Sequence, residues 1–412
     1  MTEVCPHEQC FGCTACASIC PVSAITMQTD EWGFPYPHIN TDTCIDCGAC
    51  LRVCPVHAHP DLSRLPEEVF CAAYHKDPAV RAASSSGGAF SALAETVLER
   101  GGHVCAAEFR KDYRSIHHVI ISSLQDLSRL RASKYMQSDL EDTFSEIRDL
   151  LRKDNEVLFV GTPCQSAGLR RFLKKPYTKL TTVDIVCHGV PSPRIFADYI
   201  NRLEDIHHGK VESYTFRDKR WSWYRFNMKA TFSGGKSYYG FWERDPFFRG
   251  FLSDLFLRDC CYRCPFSNHT RYSDITLSDF WGYWAVKDGF KDDDTGISMC
   301  MCNTVRGVEL LAAARLRLVI HPTERKASLA NGGFNPREET IEGKYDFLSA
   351  YKKNGFPVLL GDYYRPAELP PERKLLYIFG KGTVMLRIMK ELMRFYKKKI
   401  KPLCCLFTGR KT

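Results

Sequence analysis

The sequence predicts a small cysteine-rich domain followed by a larger α/β core of mixed α+β character. Three observations carry this. The run Cys10-x₂-Cys13-x₂-Cys16-x₃-Cys20-Pro21 recurs as Cys44-x₂-Cys47-x₂-Cys50-x₃-Cys54-Pro55. Further on, continuous apolar runs alternate with segments of helical period, the pattern of βα units. Two of these units each place a cysteine just past the carboxyl end of a strand, the edge where open α/β sheets bind ligands. The 412 residues allow two or three domains, and 44% hydrophobic residues allow a sizeable core.

The duplicated run has the ligand spacing of a bacterial two-cluster ferredoxin. Three thiolates two residues apart wrap a tight loop around one cubane, and the fourth, beside proline, swings to the other. Cys10, Cys13, Cys16 and Cys54 are therefore expected to hold one 4Fe–4S cluster, and Cys44, Cys47, Cys50 and Cys20 a second. Zinc has no use for this duplicated run. A radical S-adenosylmethionine site is excluded, because Ser23 stands where its third cysteine would be. Between the runs, Ala24 to His38 reads as a hairpin over the cluster loops, with Pro35 and Pro37 expected to prevent a regular strand. The polar stretch His57 to Pro66 reads as a linker, closing a domain at 1–65 before a core at 66–370 and a basic tail at 371–412.

Within the core, Val69 to Tyr74 reads as the first strand. Ser84-Ser-Ser-Gly-Gly88 precedes a helix with Phe90, Leu93, Val97 and Leu98 on one face, ended by Gly101-Gly102. Such a start exposes backbone N–H groups, which suits an anion or simply caps a core helix. Val157 to Val160 is a buried strand leading to Gly161-Thr-Pro-Cys-Gln165 and a helix. Thr182 to Val186 leads likewise to Cys187-His-Gly-Val-Pro-Ser192 and a helix. An aromatic segment from Phe216 to Phe251 reads as hairpins, followed by Cys260-Cys261-Tyr-Arg-Cys264. Ile275-Thr-Leu-Ser-Asp-Phe-Trp-Gly282 reads as a strand entering a loop, and Cys300 and Cys302, two apart on another strand, read as buried thiols. By spacing alone, Cys164, Cys187, Cys261 and Cys264 suit zinc as well as iron–sulfur.

These motifs together resemble the coenzyme F420 hydrogenase/dehydrogenase beta-subunit family. Those that carry the resemblance are Ser84–Gly88, Ser133-Lys-Tyr-Met-Gln-Ser138, Gly161–Gln165, Cys187–Ser192, Cys261–Cys264 and Asp274-Ile-Thr-Leu-Ser-Asp-Phe-Trp-Gly282. The resemblance implies a third 4Fe–4S cluster on Cys164, Cys187, Cys261 and Cys264. Cys260 stands where relatives often have serine, and Cys261 is preferred as ligand because it keeps the C-x₂-C spacing with Cys264. It also implies FAD, with Ser86, Gly87, Gly88 and Lys134 at its phosphates. Asp279 and His188 fall in motifs near the cofactors, either for proton transfer or as a turn carboxylate and a loop-positioning imidazole. The implied function is an iron–sulfur flavin oxidoreductase joining a two-electron partner (deazaflavin, nicotinamide or organic substrate) to one-electron carriers. Bacterial relatives often lie among polysaccharide genes, and the partners implied are a ferredoxin or another redox protein. The alternative is an electron-transfer subunit whose chemistry is done by a partner.

The start Met-Thr-Glu-Val-Cys-Pro-His-Glu has no basic or apolar leader pattern. With twenty cysteines, the expected setting is a reducing cytoplasm. The net charge of +9 is a property of the tail. From Arg373 to Thr412, twelve Lys/Arg face one acid, Glu391, a balance of +11 that leaves the rest at −2. No nucleic-acid-binding core is expected. In the tail, Met385, Met389, Leu392 and Tyr396 share a helical face opposite Arg387, Glu391, Arg394 and Lys398. That pattern suits either peripheral contact with an anionic membrane or docking on protein.

Overall fold

A computed structural model of the chain describes residues 3–282, 293–328, 331–335 and 341–360. The basic tail and its expected amphipathic helix lie outside these. No described helix is long and apolar enough to cross a membrane.

The cysteine runs fold as two equivalent loops. In the first, Gly12 and Thr14 flank Cys13 with positive φ of 64° and 59°; in the second, Asp46 and Gly48 flank Cys47 at 49° and 65°. Left-handed residues on either side of the middle cysteine turn backbone N–H groups into the loop, a concavity suited to anions. Each loop runs into one short helix, α1 (Ala15–Ile19) and α2 (Ala49–Val53). Between them lies a hairpin of β1 (Ile25–Thr29) and β2 (Pro35–Ile39). Pro35 and Pro37 do not break β2, contrary to expectation; they pair with Thr29 and Met27. In a two-stranded ladder each strand has one free edge, and prolines two apart present their missing donors to it.

The core is organised on a nine-stranded mixed sheet. Its strands are β3 (Val69–His75), β4 (His103–Phe109), β5 (Ile116–Ile121), β6 (Ser138–Asp139), β7 (Val157–Gly161) and β8 (Leu180–Ile185). A separate antiparallel sheet holds β9 (Val211–Asp218), β10 (Asn227–Phe232) and β11 (Ser237–Phe241). The main sheet resumes with β12 (Ile275–Asp279), β13 (Ser298–Cys302) and β14 (Leu318–Pro322). Its order is β14-β3-β13-β12-β8-β7-β4-β5-β6. The central four, β12-β8-β7-β4, are parallel and buried on both faces, which is why β7 reads as an unbroken apolar run.

Helices pack on the main sheet, on the small sheet and against the cysteine-rich domain. They are α3 (Pro78–Ala83), α4 (Ala89–Glu99), α5 (Leu127–Leu130), α6 (Thr143–Arg152), α7 (Pro163–Leu173), α8 (Pro193–His207), α9 (Pro246–Leu252), α10 (Asp259–Tyr262) and α11 (Val305–Ala313). Their starts are locally encoded. Thr162 and Gln165 form a capping box with Pro163 in the first turn of α7, and Ser192 caps α8 before Pro193. One core packs α4 and α11 on the sheet through Leu93, Val97 and Leu310. On the opposite side Phe144 and Phe172, from α6 and α7, share a buried cluster with Phe11, Cys13, Ala15 and Val53. The cysteine-rich domain thus completes a core of the larger domain. A third cluster, rich in aromatics, joins α8 to the small sheet and takes in Trp32 and Phe34 of the hairpin.

Candidate functional site

The eight N-terminal cysteines gather around two cavities. Cys10, Cys13, Cys16 and Cys54 line one, with Cys5 beside them. Cys20, Cys44, Cys47 and Cys50 line the other. The crossover of the proline-linked cysteine follows from α1 and α2, whose single turns separate Cys16 from Cys20 and Cys50 from Cys54. Backbone N–H groups face sulfur at Gly12 to Cys10 Sγ (3.4 Å) and Ala24 to Cys20 Sγ (3.2 Å). Burial first, then neighbouring thiols, pushes Cys13 up to about 12. Such a group becomes a thiolate only against added positive charge, which iron supplies.

The four core cysteines come together as well. Cys164 begins α7, Cys187 follows β8, and Cys261 and Cys264 belong to the α10 loop; all four line one cavity, with Cys260. Gly189 N–H reaches Cys187 Sγ (3.3 Å), Val190 N–H reaches Cys261 Sγ (3.5 Å), and Cys164 Sγ is 3.1 Å from Thr162 Oγ1. Cys260 is itself buried against Phe266 and the α7 core. Burial and Cys261 push Cys264 up to about 12. Four sulfurs lining one cavity, Cys187 and Cys261 met by backbone donors and Cys164 by a hydroxyl, fit a thiolate-held cluster. Among the described residues no three His, Cys, Asp or Glu side chains close on a single metal ion. His188 lines this cavity with its Nε2 2.9 Å from Asp254 Oδ1 and its ring edge-on to Phe251.

A fourth cavity, of about 270 Å³, opens at the carboxyl edge of β7, β8 and β12. Ser84, Ser85, Ser86, Gly88 and Lys134 line it. Gly88 caps α4 at φ 92°. Gly87 does not face the cavity: a Cβ there would meet Ala73 O at 2.3 Å, so this glycine serves packing on the sheet. Ser86 Oγ donates to Ile297 O (2.6 Å). Lys134 Nζ donates to the carbonyls of Leu130, Arg131 and Ala132 at the end of α5. The residue is half-buried, but its ammonium is tucked under these carbonyls, and burial lowers it to about 7 against the pull of Glu108. Asp279 lines the cavity with both oxygens engaged, by Arg217 (2.8 and 3.1 Å) and by Trp223 Nε1 (3.0 Å). A larger cleft of about 600 Å³ lies between the hairpin and the helix Ile341–Asn354 and carries none of the cysteines.

The 4Fe-4S dicluster domain matches residues 9–58. The N-terminal domain of the coenzyme F420 hydrogenase/dehydrogenase beta subunit matches residues 70–144, and its C-terminal domain residues 154–326, together more than half the chain. The chain belongs to the coenzyme F420 hydrogenase/dehydrogenase beta-subunit family. A subunit of the F(420)H(2) dehydrogenase from Methanosarcina mazei is 25% identical over 192 residues, 44% of this chain and 54% of that protein. The chain thus spans about half the length of this curated relative. A chain of the F420-reducing NiFe hydrogenase complex from Methanosarcina barkeri aligns with 69% of this chain and 93% of its own, at 16% identity and a TM-score of 0.45.

In this chain, the segment Ser133–Ser138 ties the cavities together. Ser133 N–H donates to Ser85 Oγ (2.6 Å), joining it to the serine–glycine turn. Tyr135 O–H meets Arg217, and Gln137 Nε2 donates to Phe11 O (3.1 Å) of the cysteine-rich domain. Ser138 contacts His118 Nδ1 (2.9 Å) and accepts from Gln165 Nε2 (2.9 Å). Burial lowers His118 to about 4, leaving a neutral ring whose Nε2–H points to Val160 O (3.0 Å). Sequence reasoning missed His118, Arg217 and Lys219, the last of which pins the Ser86 turn by donating to Ser86 O and Thr295 O. No local motif marks them, because each finds its partners far along the chain.

Proposed function

We propose that the chain is an iron–sulfur flavoprotein oxidoreductase that passes electrons between a two-electron partner and a one-electron carrier. One observation carries this reading: three of the cavities form a series with shared walls. Phe11 lines both the Cys10 cavity and the core thiol cavity. Ser138, Thr162 and Gln165 line both the core thiol cavity and the 270 Å³ cavity. The twelve cysteines would hold three 4Fe–4S clusters, and Ser84–Ser86, Gly88 and Lys134 would hold FAD. Bound there, flavin and clusters supply exchange between two-electron and one-electron chemistry. The chain's own residues orient and insulate: His118, Ser138 and Gln165 form a hydrogen-bonded partition, and Arg217 holds Asp279 at the mouth of β12. Cys47 is exposed, so its cavity is the natural contact for a ferredoxin or another redox protein.

The test is anaerobic purification with iron, sulfide and flavin counts. About twelve irons and one FAD per chain are expected. Trials of reduction with deazaflavin, NADH, NADPH and ferredoxin then identify the two-electron partner, including an organic substrate of polysaccharide-related metabolism. About eight irons, unchanged by Cys164→Ser and Cys264→Ser, would remove the third cluster from this reading. The engagement of both Asp279 oxygens favours a second reading, in which the chain relays electrons for a catalytic partner. Full iron without FAD after anaerobic reconstitution would decide for it.

A further inference from the structure

Five arginines are buried among the described residues: Arg81, Arg217, Arg225, Arg258 and Arg271. Four pair with a carboxylate, namely Asp293, Asp279, Glu243 and Asp184. Arg258, the most enclosed at 0% exposure, does not. Its guanidinium donates to three neutral oxygens: Cys10 O (2.6 Å), Gln137 Oε1 (3.0 Å) and Pro35 O (2.9 Å). It lies over the ring of Tyr36 at 4.0 Å and lines the core thiol cavity. Its backbone starts the α10 segment that carries Cys261, while its Nε reaches the first cysteine of the N-terminal run. A buried charge without a counter-charge is costly. It faces the two thiol nests, through Cys10 on one side and Cys260 and Cys261 on the other, and these become anionic when their thiolates hold iron.

Resting on that three-cluster function, we propose that Arg258 is the shared counter-cation of the Cys10/Cys13/Cys16/Cys54 cluster and the core cluster, and that it sets their reduction potentials above that of the Cys20/Cys44/Cys47/Cys50 cluster. The physical step is simple. One electron added to either neighbouring cluster adds one negative charge, and a fixed cation in a dry site favours the reduced form. Net charge, burial and hydrogen bonding are the levers by which a protein sets such potentials. Arg258 does not line the Cys20/Cys44/Cys47/Cys50 cavity, so the potential of a cluster held there is left alone. Arg258 is neither ligand nor catalytic residue; it acts through charge. The difference draws electrons inward, towards the 270 Å³ cavity.

The experiment is an anaerobic redox titration of full-length, iron-loaded protein, followed by electron paramagnetic resonance. In Arg258→Gln, two of the three clusters are expected to become at least about tenfold harder to reduce, which is 59 mV for a one-electron couple. The third stays put. Arg258→Lys keeps the charge and loses the fork, and it is expected to titrate like wild type. Unmoved potentials in Arg258→Gln, or an equal shift of all three clusters, overturn the proposal. So does a shift in Arg258→Lys, which also decides the matter should Arg258→Gln fail to load iron. Wild-type protein with fewer than three clusters would instead sink the underlying reading before any variant is measured.

Discussion

At the residue scale, Lys134 shows how position changes a common side chain. An ordinary surface lysine stays charged to high pH, whereas burial under three carbonyls brings this one to about 7. Its folded value lies below its unfolded value, so stability rises with pH between about 7 and the usual lysine range. Lys134→Met should flatten that rise, as read from denaturant midpoints across pH 6–10. If FAD occupies the proposed site, the same group should make its affinity pH-dependent. Protonated Lys134 favours a diphosphate, so affinity should fall as pH climbs above about 7, with Lys134→Met weaker and flat. Fluorescence titration of the apoprotein checks this, and a wild-type affinity constant from pH 6 to 9 would remove Lys134 from the phosphate site. Among the thiols, Cys261→Ser should lose about four irons. Cys260→Ser should keep them and lose only stability, because Cys260 belongs to the packed α7 cluster. The N-terminal cysteine groupings were legible in the sequence because that ligand spacing is local, whereas Cys164, Cys187, Cys261 and Cys264 lie far apart along the chain and only the family resemblance grouped them. The counter-charges were not, because Arg217, Lys219 and Arg258 find their partners only after folding.

At the element scale, glycines decide where elements touch. Gly87 sits so close to β3 and β13 that a Cβ would lie 2.3 Å from Ala73 O and 2.6 Å from Ser298 N. Gly87→Ala should therefore cost about 1–3 kcal/mol of stability by overpacking, seen as a lower denaturant midpoint. Gly168 lies four residues along α7 from Cys164, one turn on and on the same side of the helix. A Cβ there would lie 2.9 Å from Cys13 Sγ. One helix thus begins at the core thiol cavity and, a turn later, abuts a cysteine of the N-terminal domain. Gly168→Val should push the domains apart and expose the thiol nest at Cys13, raising its alkylation rate in metal-free protein. An alkylation rate equal to that of wild type would show that the contact yields without cost. Strands β3, β7, β8 and β12 were legible from apolar runs, and α4, α7 and α8 from caps and period. Regular β2 was not, since its two prolines argue against a strand unless one knows that only one edge is paired.

At the scale of the whole molecule, the sequence suggests two domains joined by a linker, and the structure shows them sharing a core. Phe11, Cys13, Ala15 and Val53 complete a cluster built on α6 and α7, and Ser192 Oγ on α8's cap donates to Trp32 O (2.7 Å). Electron passage through such a body depends on fixed separations, which a tethered domain would not keep. Cys13→Ala should therefore leave flavin binding intact while uncoupling it from ferredoxin, read by stopped-flow reduction of bound FAD. Unchanged flavin reduction by ferredoxin in that variant would mean that electrons enter by another face. What the sequence could not show is this series, because shared walls such as Phe11 and Ser138 look like ordinary core residues in one dimension.

The uneven burial of the two N-terminal nests has a consequence for handling the protein in air. Around one nest Cys10, Cys13, Cys16 and Cys54 are all buried; around the other Cys47 is exposed and Cys20 and Cys44 are only partly covered. Dioxygen attacks sulfur and iron where it can reach them. Aerobic decay should then run from the outside in, the outer four irons leaving first. A preparation made on the open bench would look like a healthy protein with about eight irons, intact at its core and cut off from its partner.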